Sequence, residues 1–273
     1  MILVNGVAID TIPASDRGFA YGDGVFRTLV VRDGQPRAWR RQFGKLAFDA
    51  HALGIPCPEE AVLREETRQV AGEERSCAVR IVVTRGSGPR GYASPAPVRP
   101  MRSVSRSPFP QHPAEWIERG VTARVCALRL GWQPALAGIK HLNRLENVLA
   151  RAEWDDPGIA EGLLQDCAGN VIGGTMSNVF VVEGERIATP DLSQCGVAGV
   201  TRDRVMDGAR RRRVACVVER ISLERLLAAQ EVMLVNSLIG VWPVAALGER
   251  RWTDFRMAAL VRKWLDALRF PHH

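Results

Sequence analysis

Short apolar stretches alternate with longer amphipathic segments through the first hundred residues. Apolar and β-branched residues are concentrated at 2–4, 25–32 and 79–84, which predicts strands. Residues 40–53 and 59–71 have the apolar periodicity of helices. This part of the chain is therefore predicted to mix strands and helices.

A second set of elements is predicted beyond a proline-rich tract. The tract covers residues 94–100 and is predicted to be a linker, with a short strand at 104–105 after it. The pattern then predicts strands at 121–128, 172–182 and 232–235, and helices at 141–154, 202–212 and 252–268. The predicted organisation is an N-terminal α/β domain at 1–105, a linker at 106–115 and a C-terminal domain at 116–273.

Composition is that of a globular protein. The 273 residues are 46% hydrophobic and 25% charged, enough for one or two domains. The chain has no apolar run of 18 residues, and its first ten residues lack the arrangement of a signal peptide, so a cytoplasmic protein without a membrane partner is expected. Six scattered cysteines without a CxxC pair favour free thiols over disulfides or a metal site.

The net charge of +7 and the arginine run at 210–213 raise the possibility of nucleic-acid binding. The run lies on a predicted helix, and no aromatic residues are interleaved with it as a single-strand surface would require. The basic charge is better explained by attraction of small anionic ligands.

Lysine is rare in this chain. Only Lys45, Lys140 and Lys263 are lysines among 37 basic residues. An amine can lose its proton and form a Schiff base, which a guanidinium cannot. Lys140, between a turn of small residues and an amphipathic segment, is therefore the candidate nucleophile.

Motifs along nearly the whole chain resemble the aminotransferase class IV family, the fold-type IV pyridoxal-phosphate enzymes, and within it the aminodeoxychorismate lyases. Each motif alone is weak, but they occur in the family's order. They are SDRG at 15–18, YGDGVF at 21–26, TRGSGPRGY at 84–92, GIKHLNRLE at 138–146, NVF at 178–180, GVAGVTR at 196–202 and NSLIGVWPV at 236–244.

The resemblance implies a fold, a cofactor and an assembly. The expected fold class is α/β (α+β), with a smaller N-terminal α/β domain, a larger barrel-like C-terminal α/β domain, a cofactor cleft between them, and a homodimer. Lys140 would hold pyridoxal 5'-phosphate covalently and would also move a proton of the substrate. The other implied cofactor contacts are Lys45, Asn143, Arg144, Gly173, Val200, Thr201, Asn236 and Ser237. Asn143 and Arg144 are expected to share a helix face with Lys140.

The implied substrate, 4-amino-4-deoxychorismate, carries two carboxylates. Arginine pairs with carboxylates through its planar fork, so Arg85 and Arg90 of the glycine-rich loop are expected to bind them. Tyr92 and Thr28 complete the predicted substrate contacts.

Three positions depart from the family pattern. Gly173 stands where the family usually has the glutamate that keeps the pyridine nitrogen protonated, which puts activity in doubt. Lys45 replaces a frequent arginine, and Arg27 replaces a frequent acidic residue.

The implied reaction is a lyase reaction of folate biosynthesis that yields 4-aminobenzoate and pyruvate. Aromatisation of the product drives it, so it tolerates a weak electron sink better than transamination does. Two alternatives stay open. One is an aminotransferase for branched-chain or D-amino acids, and the other is a degenerate protein that binds the cofactor with weak or no activity.

Overall fold

The computed structural model describes residues 1–267, and the chain forms two compact units. Unit 1 comprises Met1–Pro110 together with Ile139–Asn143, and unit 2 comprises Gln111–Gly138 together with the chain from Arg144 onwards. The predicted mixed α/β class is confirmed. The five residues that include Lys140 belong to unit 1, whereas the predicted boundary assigned them to the second domain.

Unit 1 is a five-stranded antiparallel sheet with helices. Its strand order is β1-β5-β4-β2-β3. The elements are β1 (Ile2–Val4), α1 (Arg17–Tyr21), β2 (Gly24–Arg32), β3 (Gln35–Pro36), α2 (Trp39–Ala52), α3 (Glu60–Ala71), β4 (Ser76–Thr84) and β5 (Met101–Pro108).

The core of unit 1 follows the alternation of the strands. Successive residues of a strand point to opposite faces, so Val25, Leu29 and Val31 of β2 share one face. They pack in one apolar cluster with Leu46 of α2 and Leu63 of α3. The amphipathic helices thus bury their apolar sides against this face.

Unit 2 is built on a nine-stranded sheet of mixed direction. Eight strands follow the order β11-β10-β9-β12-β13-β6-β7-β8, and β14 pairs with β13. The elements are α4 (Glu115–Glu118), β6 (Val121–Leu130), α5 (Leu145–Arg151), β7 (Ile159–Asp166), β8 (Val171–Gly174), β9 (Asn178–Glu183), β10 (Arg186–Pro190), α6 (Val200–Arg211), β11 (Cys216–Glu219), α7 (Leu223–Ala228), β12 (Glu231–Asn236), β13 (Gly240–Leu247), β14 (Arg250–Arg251) and α8 (Arg256–Ala267).

Several predicted elements need correction. The proline tract at 94–100 connects β4 to β5, which pair with each other, so it is a loop within unit 1 and not a linker. The segment predicted as linker at 106–115 begins inside β5. The strand predicted at 172–182 is two strands, separated by a turn at 175–177.

The predicted helices also differ at their ends. The helix predicted at 141–154 is only α5, because the backbone before it pairs with a strand. The closing helix starts at Arg256 and not at residue 252. Residue 268 and the terminal Pro271, His272 and His273 lie outside the described residues. Within residues 1–267, no helix has the length and apolar character needed to cross a bilayer.

Candidate functional site

Lys140 lies in an extended segment that pairs with β2. The Phe26 N–H donates to the Lys140 carbonyl at 3.0 Å, and the Leu142 N–H donates to the Gly24 carbonyl at 2.9 Å. These bonds use the backbone groups that a helix would need, so α5 begins only at Leu145. The expectation that Asn143 and Arg144 share a helix face with Lys140 is therefore wrong.

The peptide and the side chain of Lys140 are both held. Its N–H donates to Oδ2 of Asp49 at 3.0 Å, and its Nζ lies 4.5 Å from the centroid of the Phe26 ring. An ammonium group over an aromatic face is attracted by the ring's negative potential. Lys140 thus has a defined position on the sheet of unit 1.

Asp49 also pairs with Arg27 in the interior of unit 1. The Arg27 guanidinium donates to the Oδ2 atom that accepts the Lys140 N–H. Asp49 is 1% exposed and Arg27 is 2% exposed. Burial raises the pKa of Asp49, and the charge of Arg27 and the N–H of Lys140 oppose that rise. Lys45 precedes Asp49 by one helical turn, so the charge of Lys45 acts on the same carboxylate. The predicted contact of Lys45 with a phosphate stays a prediction.

The sheet face that carries Phe26 also carries Thr28 and an arginine that the sequence reasoning missed. Thr28 lies directly across from Arg80 of β4. The guanidinium carbon of Arg80 is 4.2 Å from the centroid of Phe26. Lys140 and Arg80 thus contact the same ring. The signal was present, because Arg80 is the one charged residue in β4.

Arg85, predicted to bind substrate, is held by unit 1 itself. Its Nε and Nη2 donate to Asp23 at 2.8 and 3.1 Å, and further N–H groups donate to the carbonyls of Leu53 and Gly54. These bonds use four of the five N–H groups of a guanidinium. Arg85 is thus held in place by unit 1, and its contact with a substrate carboxylate stays a prediction.

The loop that follows Arg85 carries the other predicted substrate residues. The guanidinium of Arg17 donates to the carbonyls of Gly91 and Tyr92. The Tyr92 side chain is 89% exposed and lies 5.5 Å from the Tyr21 ring, measured between centroids. The Arg90 side chain is exposed and forms no ion pair within residues 1–267. Arg90 and Tyr92 stay predictions.

In unit 2, a buried carboxylate organises the turn at 175–177. Glu161 of β7 is 1% exposed and accepts hydrogen bonds from the N–H groups of Thr175 and Met176 at 3.0 and 3.2 Å. It also accepts from the hydroxyls of Thr175 and Ser177. Glu161 was not among the predicted site residues, although a glutamate within an apolar strand is rarely buried without a partner and is therefore a signal.

Gly173 is the next-to-last residue of β8, before Gly174 and this turn, and lies on the strand face away from Glu161. A Cβ on Gly174 would lie 2.6 Å from Oε2 of Glu161, whereas a Cβ on Gly173 would lie 2.9 Å from the Ser177 carbonyl oxygen. Successive residues of a strand point to opposite faces. Glu161 therefore does not occupy the place of the carboxylate that Gly173 lacks.

The predicted phosphate turn leads into α6. The Asn178 side chain accepts from the Gly199 N–H at 3.1 Å and donates to the Val197 carbonyl at 2.7 Å. A Cβ on Gly199 would lie 2.3 Å from Oδ1 of Asn178, so a larger residue here would displace the Asn178 side chain. The helix begins at Val200 with no side-chain cap, and Thr201 is buried in its first turn. The uncapped amide groups of such a turn favour anions.

The side chains of Asn236 and Asn147 hold the turn at 175–177 by donating hydrogen bonds to its backbone carbonyls. The Asn236 side chain donates to the Met176 carbonyl at 3.1 Å, and its Oδ1 accepts from Leu238 and Ile239 N–H groups. The Asn147 side chain donates to the Thr175 carbonyl at 2.8 Å. Of the predicted cofactor residues, Asn236 thus has a structural contact with this turn.

The last predicted cofactor residues have the following positions. Asn143 is exposed and donates to the Gly22 carbonyl at 3.3 Å, and Arg144 donates to the Asn147 side chain at 3.4 Å. Burial lowers the pKa of Arg144. Ser237 follows Asn236 in the turn between β12 and β13 and is partly exposed.

The chain is similar to known proteins over nearly its full length. The profile of the family described as Amino-transferase class IV matches residues 24–247. An aminodeoxychorismate lyase from Vibrio harveyi is 37% identical over 264 residues, which are 96% of this chain and 97% of that protein. A putative branched-chain-amino-acid aminotransferase from Methanocaldococcus jannaschii is 29% identical, over 96% of this chain and 93% of that protein.

A solved structure agrees with these matches. The crystal structure of 4-amino-4-deoxychorismate lyase from Pseudomonas aeruginosa superposes with a TM-score of 0.94 at 42% sequence identity. The match covers 99% of this chain and 100% of that chain.

Proposed function

The chain belongs to the aminotransferase class IV family, and on that premise we propose that it is a lyase that converts 4-amino-4-deoxychorismate to 4-aminobenzoate and pyruvate. The observation that carries this proposal is the similarity, over nearly the full length of the chain, to the lyases from Vibrio harveyi and Pseudomonas aeruginosa, at 37% and 42% identity. The reaction supplies 4-aminobenzoate for folate biosynthesis.

Pyridoxal 5'-phosphate is the cofactor of this family, and the residues of the chain fit two of its groups. Lys140 offers an amine for covalent attachment, on a peptide that is hydrogen-bonded on both sides. The first turn of α6, with Gly199, Val200 and Thr201, offers uncapped amide groups for the phosphate. Lys45 is proposed as a second phosphate contact.

The reaction needs one proton removed and one bond broken. When bound, the cofactor withdraws electrons from the substrate carbon that carries the amine. We assign to Lys140 the removal of the proton from that carbon. The bond from the neighbouring ring carbon to the enolpyruvyl oxygen then breaks, the ring becomes aromatic, and the released enolpyruvate takes up a proton to become pyruvate.

The substrate carboxylates require cations. Arg90, with its exposed side chain, is one proposed partner. Arg80 is the second, because it contacts the ring that Lys140 contacts. Thr28, directly across from Arg80, and Tyr92 are proposed to complete the set.

The direct test uses the lysines of the chain. Lys140→Ala is expected to abolish both the visible absorbance band after incubation with pyridoxal phosphate and dialysis, and the release of pyruvate in a coupled assay. Lys263→Ala, at an exposed position of α8, is the matched control and should retain both. A band and pyruvate release that survive in Lys140→Ala would refute the assignment.

Gly173 bears on the choice between lyase and aminotransferase. No carboxylate stands at this position, and Glu161 faces the other side of the strand. We infer that the aromatic product lets the lyase reaction proceed with a weaker electron sink. Gly173→Glu is expected to have a higher aminotransferase activity with D-alanine or branched-chain amino acids than Gly173→Ala has. The alanine variant shares the contact with the Ser177 oxygen and lacks the charge. Equal amino transfer by both variants would contradict the inference, and amino transfer by the wild type without pyruvate release would favour the aminotransferase.

A homodimer is proposed for the assembly. Leu145, Val148 and Leu149 have the i, i+3, i+4 spacing that places them on one side of α5, and they are 68%, 61% and 54% exposed. We propose that a second copy covers this side. In sedimentation experiments, Val148→Glu should shift the protein from dimer towards monomer. Leu260→Glu, on the exposed side of α8, is the control and should leave the dimer unchanged. A Val148→Glu variant that remains a dimer would overturn this placement of the interface.

The cellular compartment is also a proposal. All six cysteines are free thiols, and several are buried. Free thiols persist in reducing compartments, so we propose the cytoplasm as the place of action.

A further inference from the structure

The buried pair of Asp49 and Arg27 lies where it can act on Lys140 through the backbone. Phe26 and Arg27 are successive residues of β2 and point to opposite faces of the sheet. Asp49, on the Arg27 side, accepts the Lys140 N–H, while the Lys140 amine lies over Phe26 on the other side. One carboxylate oxygen thus joins the ion pair to the nucleophile's peptide.

We propose that Asp49 and Arg27 are positioning residues, which hold the Lys140 peptide and balance the charge around its amine. The proposal concerns the lysine that the proposed function uses, but its structural basis does not depend on which substrate the protein converts.

Three observations support a specific role over general packing. First, Oδ2 of Asp49 accepts from both Arg27 and Lys140, while Oδ1 is buried and accepts no hydrogen bond from the described residues. Second, the Phe26 N–H holds the carbonyl of the same lysine, so its peptide is fixed at both ends. A buried charge that is only partly hydrogen-bonded retains a strong field in its surroundings.

Third, the charged groups that the structure ties to the Asp49 carboxylate and to the Phe26 ring are cations. Arg27 on β2 and Lys45 on α2 act on the Asp49 carboxylate, and Arg80 on β4 contacts the Phe26 ring from which the amine is 4.5 Å distant. Asp49 supplies a negative charge that is hydrogen-bonded to the Lys140 peptide. Loss of its charge should disfavour the protonated amine, and loss of Arg27 should favour it.

The opposite signs distinguish this proposal from a merely structural role. The experiment measures trace acetylation of the three lysines by acetic anhydride as a function of pH, in full-length protein freed of cofactor, with peptide mass spectrometry. Asp49→Asn keeps an oxygen acceptor for the Lys140 N–H and removes the charge. It should lower the labelling midpoint of Lys140 by about half a pH unit or more. Arg27→Met should raise that midpoint, and Lys263 serves as the internal reference.

A double variant keeps the test decisive if a lone buried charge prevents folding. Arg27→Met combined with Asp49→Asn removes both charges, so it should fold and return the Lys140 midpoint towards that of the wild type. In protein loaded with pyridoxal phosphate, the pH midpoint of the visible band should move with the same signs. Midpoints unchanged in the folded variants, or moved in one direction by both single variants, would overturn the proposal. Pyruvate release by the wild type is scored separately, so failure of the proposed function is distinguishable.

Discussion

Glu161→Gln tests whether one carboxylate holds the turn at 175–177. Oε1 of Glu161 accepts from the Gly162 and Thr175 N–H groups, each at 3.0 Å, and from the Thr175 hydroxyl. Oε2 accepts from the Met176 N–H at 3.2 Å and the Ser177 hydroxyl at 2.8 Å. A glutamine keeps one acceptor and turns an NH2 group towards the donors at the other.

The magnitude follows from these bonds. The Ser177 hydroxyl can rotate and accept from the new NH2, but the Met176 N–H cannot. A buried donor without a partner costs about 1–3 kcal/mol, and each bond to an ionised acceptor loses part of its strength. Together these losses predict a decrease of about 3 kcal/mol in the free energy of unfolding.

Urea unfolding at pH 7, followed by circular dichroism and tryptophan fluorescence, measures this decrease. Thr175→Val is the matched variant, because it removes one hydroxyl donor and leaves the carboxylate intact; it should cost about 1 kcal/mol. The reasoning is refuted if Glu161→Gln costs no more than Thr175→Val.

Two further predictions test the fold. Gly86→Ala places a Cβ 1.9 Å from the Arg99 carbonyl oxygen at a φ of +83°, whereas Gly34→Ala, at a φ of +70°, meets nothing within 4 Å. Thermal unfolding should therefore show a loss of about 1 kcal/mol for Gly34→Ala and a clearly larger loss for Gly86→Ala; equal losses would contradict the clash. Glu183→Gln removes a carboxylate whose pKa is lowered by the hydrogen bond from Arg225, against the opposing effect of burial. A lowered pKa contributes stability that is fully present above the unfolded-state pKa and is lost as the pH falls through the folded-state pKa. The variant should therefore cost about 1 kcal/mol at pH 7, where solvent screens the partly exposed pair, and progressively less as the pH is lowered through the acidic range. A cost independent of pH would mean that packing and not charge is responsible.

Local sequence patterns were sufficient for much of the fold. Apolar and β-branched content predicted β1 and β2, and helical periodicity predicted α2, each nearly to the residue, because these elements bury apolar side chains in a core. The motif order indicated the family, and the scarcity of lysine pointed to Lys140 as the candidate nucleophile. Such signals are local, so they can be read from the sequence without knowledge of what packs against each element.

Tertiary structure alone decided the surroundings of the candidate residues. The helix predicted after Lys140 begins only at Leu145, because the backbone before it is hydrogen-bonded to Gly24 and Phe26 of β2. Lys140 is 91 residues from Asp49 in sequence, and no periodicity relates them. The same holds for Glu161 and the turn that it organises. Apolar periodicity records which side of an element is buried, whereas a polar contact depends on which distant partner the fold brings to it.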